Sequence, residues 1–212
     1  MGVTKQLLNF GGKPLVRRMA ETALASNCSH VIVVIGARCD RVRDALEGLP
    51  LQFVENPAWE QGIGSSLRAG IVAAGEAGVN AALVMLADQP FVTTAILNQL
   101  IHSYQSTGLP VVACRYAGTV GVPALFAKEL FSHLAAVPVD QGCKALLLAH
   151  REHARFLDCP EAAADLDTPA DYIDALTQLS VLATEYRRSP SGHPLPTDQG
   201  FGPFPPPPEW QN

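Results

Sequence analysis

The sequence predicts an α/β sandwich in which a mainly parallel sheet lies between two layers of helix. Two apolar runs of strand length, "HVIVVIGA" (30–37) and "NAALVMLADQP" (80–90), carry no polar face, as expected of strands covered by helices on both sides. Segments with apolar residues at three- and four-residue spacing stand between such runs. Strands and helices alternate along the chain, which is the order of α/β folds. The 212 residues, 48% of them hydrophobic, suffice for one domain with a sizeable core.

The chain opens in a stretch that reads as a loop, "MGVTKQLLNFGG", with one lysine, Lys5. "KPLVRRMAETALA" (13–25) then repeats apolar residues at Leu15, Met19 and Ala23 behind Pro14, a helix start. The first buried strand, 30–37, is followed by a helix in "CDRVRDALEGL" and a short strand in "PLQFVENP" (50–57). A helix over 64–78 has serines at its mouth, and the strand over 80–90 stops at Asp88. Thr93 or Thr94 caps a helix over 93–108. Residues 109–126 hold a strand, a glycine-containing connection and a second strand or turn. Helices follow over 127–137 and 140–152, a strand over 154–160, and a last helix over 168–186, entered through Asp167-Thr168-Pro169. The domain spans 1–187. Beyond it, 188–212 is rich in proline and glycine without periodicity and reads as a disordered, solvated tail.

Composition excludes several classes. A net charge of −5 disfavours non-specific nucleic-acid binding. No apolar run approaches the ~20 residues of a membrane span, and the first residues carry no signal-peptide core, so the expected location is cytoplasmic. The five cysteines are widely spaced with no C-x-x-C, as in reduced cytosolic proteins. "VIVVIGARCDRV" lacks the G-x-G-x-x-G of a dinucleotide-binding dehydrogenase.

In open parallel sheets, ligands bind beyond the carboxyl ends of the strands. Four features fall there. Asp88 directly follows "ALVMLA", where a rigid carboxylate suits a hard cation and equally suits a turn before Pro90. In "NPAWEQGIGSSLRAG" (56–70), Gly62 and Gly64 permit close backbone approach, and Ser65 and Ser66 open a helix whose N-terminus favours anions. An ordinary capped helix explains the same residues. Asp165-x-Asp167-Thr168-Pro169 repeats the strand-aspartate-helix order of Asp88, and Asp167 also serves as an N-cap. Lys5 is either a solvated lysine or a phosphate ligand. Together, carboxylates for Mg²⁺, a Gly/Ser loop for a nucleotide and a lysine for phosphate charge suit nucleotidyl transfer.

Read in order, "MGVTKQLLNFGGKPLV" (1–16), "NPAWEQGIGSSLRAG" (56–70), "LADQPFVT" (86–93), "RYAGTVGVPALF" (115–126), "DQGCKALL" (140–147) and "DLDTPADY" (165–172) resemble the MobA-like nucleotidyltransferases, in the branch of molybdenum cofactor cytidylyltransferases. The resemblance implies a Rossmann-like nucleotidyltransferase sandwich. It implies attack by the phosphate of molybdopterin on the α-phosphate of CTP, with Mg²⁺ and with pyrophosphate leaving. Asp88 would be the principal Mg²⁺ ligand and Asp167 a second, Lys5 would neutralise the triphosphate, and Gly64, Ser65 and Ser66 would line the nucleotide pocket. Asp140 and Gly142 would lie near the acceptor, and the product would serve a molybdoenzyme of the hydroxylase type.

The chain departs from that pattern at Val122, where the family carries His or Asn before the proline, and at Val139, where it carries Gly. The family's first strand and its L-A-A-G-x-S-x-R loop, which precede the Met-Gly, have no counterpart. The expectation is a native start about 10–20 residues upstream. The alternatives are a truncated, catalytically impaired protein that binds a nucleotide or cofactor, and a nucleotidyltransferase with another phosphate acceptor.

Overall fold

Residues 5–188 are described by the computed structural model. Lys5–Leu7 form a single 3-10 turn. Gly11 and Gly12, at φ 65° and 88°, then reverse the chain between β1 (Asn9–Phe10) and β2 (Lys13–Pro14). The opening is thus a small hairpin where the sequence suggests a loop. The glycine pair supplies the two positive φ values that a tight hairpin turn needs.

α1 (Leu15–Leu24) starts directly after Pro14 and buries Leu15, Val16, Met19, Ala20 and Ala23. There follow β3 (Ile32–Ile35), α2 (Cys39–Ala45), β4 (Gln52–Glu55), α3 (Ile63–Glu76), β5 (Ala81–Val84) and α4 (Thr94–Thr107). Thr93 Oγ1 accepts from the Ile96 N–H and is the N-cap of α4. The second half consists of β6 (Val111–Tyr116), β7 (Thr119–Ala127), α5 (Phe131–Ala135), α6 (Lys144–Ala149), β8 (Ala154–Asp158) and α7 (Pro169–Arg188). Residues 188–212, read from sequence as a tail, lie outside the described residues except for Arg188, the last residue of α7.

The strands form a four-stranded sheet in the order β5-β7-β6-β8 and a separate parallel pair, β3-β4. β6 and β8 are parallel, whereas β7 is antiparallel to both β5 and β6. The sheet is therefore mixed. Ala117 and Gly118, at φ 47° and 72°, join β6 to β7 as a hairpin, and a hairpin must reverse direction.

Helices cover both faces. On one, α1, α4 and α7 pack over Phe10, Val112, Cys114 and Leu125, with Val16, Ala20, Val42 and Leu46 of α1 and α2 closing over Ile35. On the other, α3, α5 and α6 cover Val111, Ala113, Ala124 and Phe126. This is the three-layer α/β sandwich that the sequence predicts. All five cysteines are free, and no described helix is long and apolar enough to cross a membrane.

Candidate functional site

Asp88 sits in the turn just beyond β5. Its backbone carbonyl accepts from the Leu166 N–H at 3.1 Å, which clips the 165–167 segment against the end of β5. Gln89, 1% exposed, reinforces the clip from below. Its Nε2 donates to Ala162 O at 2.9 Å and to Val122 O at 3.3 Å, tying β5 to β7 and to the turn that leads into the acidic segment. Thr168 and Asp171 form a reciprocal capping box at the start of α7: the Thr168 N–H donates to Asp171 Oδ2 (2.7 Å) and the Asp171 N–H to Thr168 Oγ1 (3.2 Å). The cap therefore belongs to Thr168. Asp167 is left to accept from Lys5 Nζ at 2.7 Å, across 162 residues of sequence.

Lys5, Asp88 and Asp167 thus converge, and Asp165 adds a further negative charge. Asp88 Oδ1 is buried without a hydrogen-bond partner. Burial pushes the Asp88 carboxyl above the ordinary carboxylate range, the Asp167 charge adds to the shift, and Lys5 opposes it. Burial and the neighbouring Asp88 also raise Asp165. A partly desolvated carboxylate with an open lone pair, beside a second carboxylate, is the donor set of a hard cation. No three-residue cluster of His, Cys, Asp or Glu able to hold a metal alone occurs among the described residues.

The Gly/Ser segment forms a second group at the head of α3. Gly62 is the N-cap at φ 121°, and a Cβ there would stand 2.5 Å from Val139 O. The Gly64 N–H donates to Val139 O at 2.9 Å, and a Cβ on Gly64 would overlap Pro138 O. The glycines admit the 138–142 loop, so Asp140 and Gly142 lie against the head of α3, with Gly142 facing Ile63. Ser65, 7% exposed, donates to Gly62 O (2.7 Å) and Ala58 O (3.1 Å). Buried Asn56 donates through Nδ2 to Ser65 Oγ (2.8 Å) and Ser66 Oγ (3.0 Å), and its Oδ1 accepts from the Ala58 N–H. In this state Gly64, Ser65 and Ser66 make intramolecular contacts.

The structure therefore gathers the sequence candidates into two groups, Lys5, Asp88 and Asp167 in one, and Gly64, Ser65, Ser66, Asp140 and Gly142 in the other. Sequence reasoning passed over Asn56 and Gln89, which hold the two groups in shape. Each precedes a proline, Asn56 directly after β4 and Gln89 in the turn beyond β5, which was the available signal.

Comparison with known proteins agrees with this architecture. A curated relative, the nicotine blue oxidoreductase of Paenarthrobacter nicotinovorans, is 37% identical over 177 residues, covering 77% of this chain and 83% of its own length. The solved structure of the Rv0371c homolog from Mycobacterium sp. strain JC1 superposes with a TM-score of 0.74 at 26% identity, covering 86% of this chain and 91% of that one. A manganese complex of Rv0371C from Mycobacterium tuberculosis H37Rv superposes at 0.65 with 28% identity, covering 83% and 93%. The MobA-like NTP transferase domain matches residues 1–154, which run from Lys5 through the Gly/Ser segment, Asp88 and the 138–142 loop, and the chain belongs to that family of nucleotidyltransferases.

Proposed function

We propose that this chain transfers CMP from CTP to the phosphate of molybdopterin, with Mg²⁺ and with release of pyrophosphate. The observation that carries the proposal is the convergence of Lys5, Asp88 and Asp167 at the end of β5. Asp88 and Asp167 would hold Mg²⁺, which supplies charge neutralisation to the triphosphate and the leaving pyrophosphate. Two of the three Lys5 N–H bonds have no partner among the described residues, which leaves them for phosphate oxygens. The Gly62–Ser66 turn and the docked 138–142 loop provide the nucleotide and acceptor walls, Gly64, Ser65 and Ser66 on one side, Asp140 and Gly142 on the other. In this reading the product serves a molybdoenzyme of the hydroxylase type. Pyrophosphate release, measured with molybdopterin and each of CTP, GTP and ATP, tests the proposal. Turnover with CTP is expected, and no release with any nucleotide overturns it.

The 37% identity to a protein named nicotine blue oxidoreductase favours a second reading, oxidoreduction. Reduction of nicotine blue by a supplied electron donor, in place of pyrophosphate release, would select it.

A further inference from the structure

α5 and α6 are anchored on one core. Leu134 of α5 and Leu147 of α6 are fully buried there, beside Phe131 and Cys143. The chain between the two helices carries the 138–142 loop that seats on Gly62 and Gly64. Arg68 of α3 ties only the start of that chain, its Nε donating to Ala135 O at 2.7 Å and its Nη2 to Val137 O at 3.4 Å.

Each short helix also presents one imidazole. His133 of α5 and His150, the C-cap of α6, bring their ring centres to 6.2 Å with the planes 71° apart. His150 Nδ1 lies 3.1 Å from Leu146 O. A carbonyl only accepts, so Nδ1 carries the proton and Nε2 keeps its lone pair. An imidazole fixed in one tautomer by a backbone carbonyl is the form in which histidine binds metals. His133 is exposed, and its ring nitrogens have no hydrogen-bond partner among the described residues, so the ring can turn. Neither ring is ion-paired to a carboxylate among those residues.

We propose that His133 and His150 form a two-imidazole site for a divalent transition-metal ion of the Zn²⁺ or Cu²⁺ class, and that the ion fastens both ends of the 134–149 segment and so braces the 138–142 loop against α3. Metal–nitrogen bonds of about 2.0–2.1 Å in tetrahedral or wider geometry hold two ring centres roughly 5–6.5 Å apart, a range that includes the observed separation. Imidazole nitrogens suit these ions, whereas carboxylate and water suit Mg²⁺, so the site is chemically separate from Asp88. No third side chain joins the pair in a metal-holding cluster among the described residues. The remaining positions therefore belong to water, and the site fills and empties with the free metal concentration. A metal clip across a segment removes conformational freedom from its unfastened states. The site stands independently of the transfer reaction.

The test titrates Cu²⁺ into the untagged full chain and reads the nitrogen ligands by electron paramagnetic resonance. It is repeated with His150→Ala and with His133→Phe, which keeps the aromatic contact and removes the ligand. A metal-free thermal midpoint for each variant separates lost binding from lost fold. Two imidazole nitrogens are expected in the parent chain. Either substitution is expected to weaken Cu²⁺ binding at least about tenfold, since loss of even a ligand's hydrogen-bond partner costs that much. His153→Ala, three residues from His150, is expected to leave binding unchanged. Zn²⁺ is expected to raise the thermal midpoint and to slow hydrogen exchange at the Val139, Asp140, Gln141 and Gly142 amides in the parent chain, and to do neither in His133→Phe. Three results overturn the proposal: fewer than two imidazole nitrogens on the bound copper, undiminished affinity in His133→Phe, which would leave an aromatic contact only, or Zn²⁺ binding that leaves exchange in the loop unchanged.

Discussion

At Asp88, burial and an unpartnered oxygen act together. The folded state disfavours the ionised carboxylate, so its proton is held to a higher pH than in the unfolded chain. The consequence for stability has a definite sign. Between the unfolded value near ~3.9 and the raised folded value, the folded form binds more protons, so stability falls as pH rises through that window and stays lower above it. Asp88→Asn removes the buried charge. It is expected to raise the thermal midpoint at pH 7 and flatten this dependence, while turnover by pyrophosphate release falls by at least about 100-fold. A lower midpoint would show that the carboxylate stabilises the fold. Metal affinity, followed by titration calorimetry, is expected to weaken on acidification at a pH above the usual carboxylate range. Lys5→Ala is expected to lower kcat by about 100- to 1000-fold, and it frees Asp167, whose only described partner is Lys5.

At the scale of an element, the head of α3 depends on its glycines for docking. Gly64→Ala would place a methyl group against Pro138 O, with Gln141 O 2.6 Å away, and both are backbone atoms that cannot rotate aside. The expected cost is about 1–3 kcal/mol in denaturant unfolding, with the 138–142 loop displaced and faster in exchange. Ser65→Ala is expected to cost about 1–2 kcal/mol, because buried Asn56 loses one of its two serine acceptors. The sequence showed small residues at this spot but not their purpose. Glycine spacing reports that something approaches closely, and the approaching group here is the chain's own loop, nearly eighty residues further on.

Across the whole molecule, what was legible followed from period. Apolar runs and helical spacing predict three layers because each residue's burial repeats along its own element. The reversal of β7 was half-legible in its glycine-containing turn. The β1–β2 hairpin was not, since two-residue strands have no period. Lys5, Asp88 and Asp167 each stand out in sequence, but their meeting rests on the Leu166–Asp88 backbone bond, which belongs to no local pattern. The largest continuous core runs from Leu8 to Leu179 and includes fully buried Phe10, set edge-on to Phe91 at 5.9 Å. Phe10→Ala is expected to cost about 3–5 kcal/mol by equilibrium unfolding.

The Tyr172 hydroxyl donates to Asn9 O across 163 residues, joining the opening hairpin to the last helix. This bond sets a timetable. At about 5–20 residues per second, a growing chain exposes Leu8, Phe10 and α1 many seconds before α7 emerges to cover them. The ribosome therefore holds a chain whose main core has an open side for most of its synthesis. A nascent chain stopped short of Tyr172 lacks the helix that closes that side.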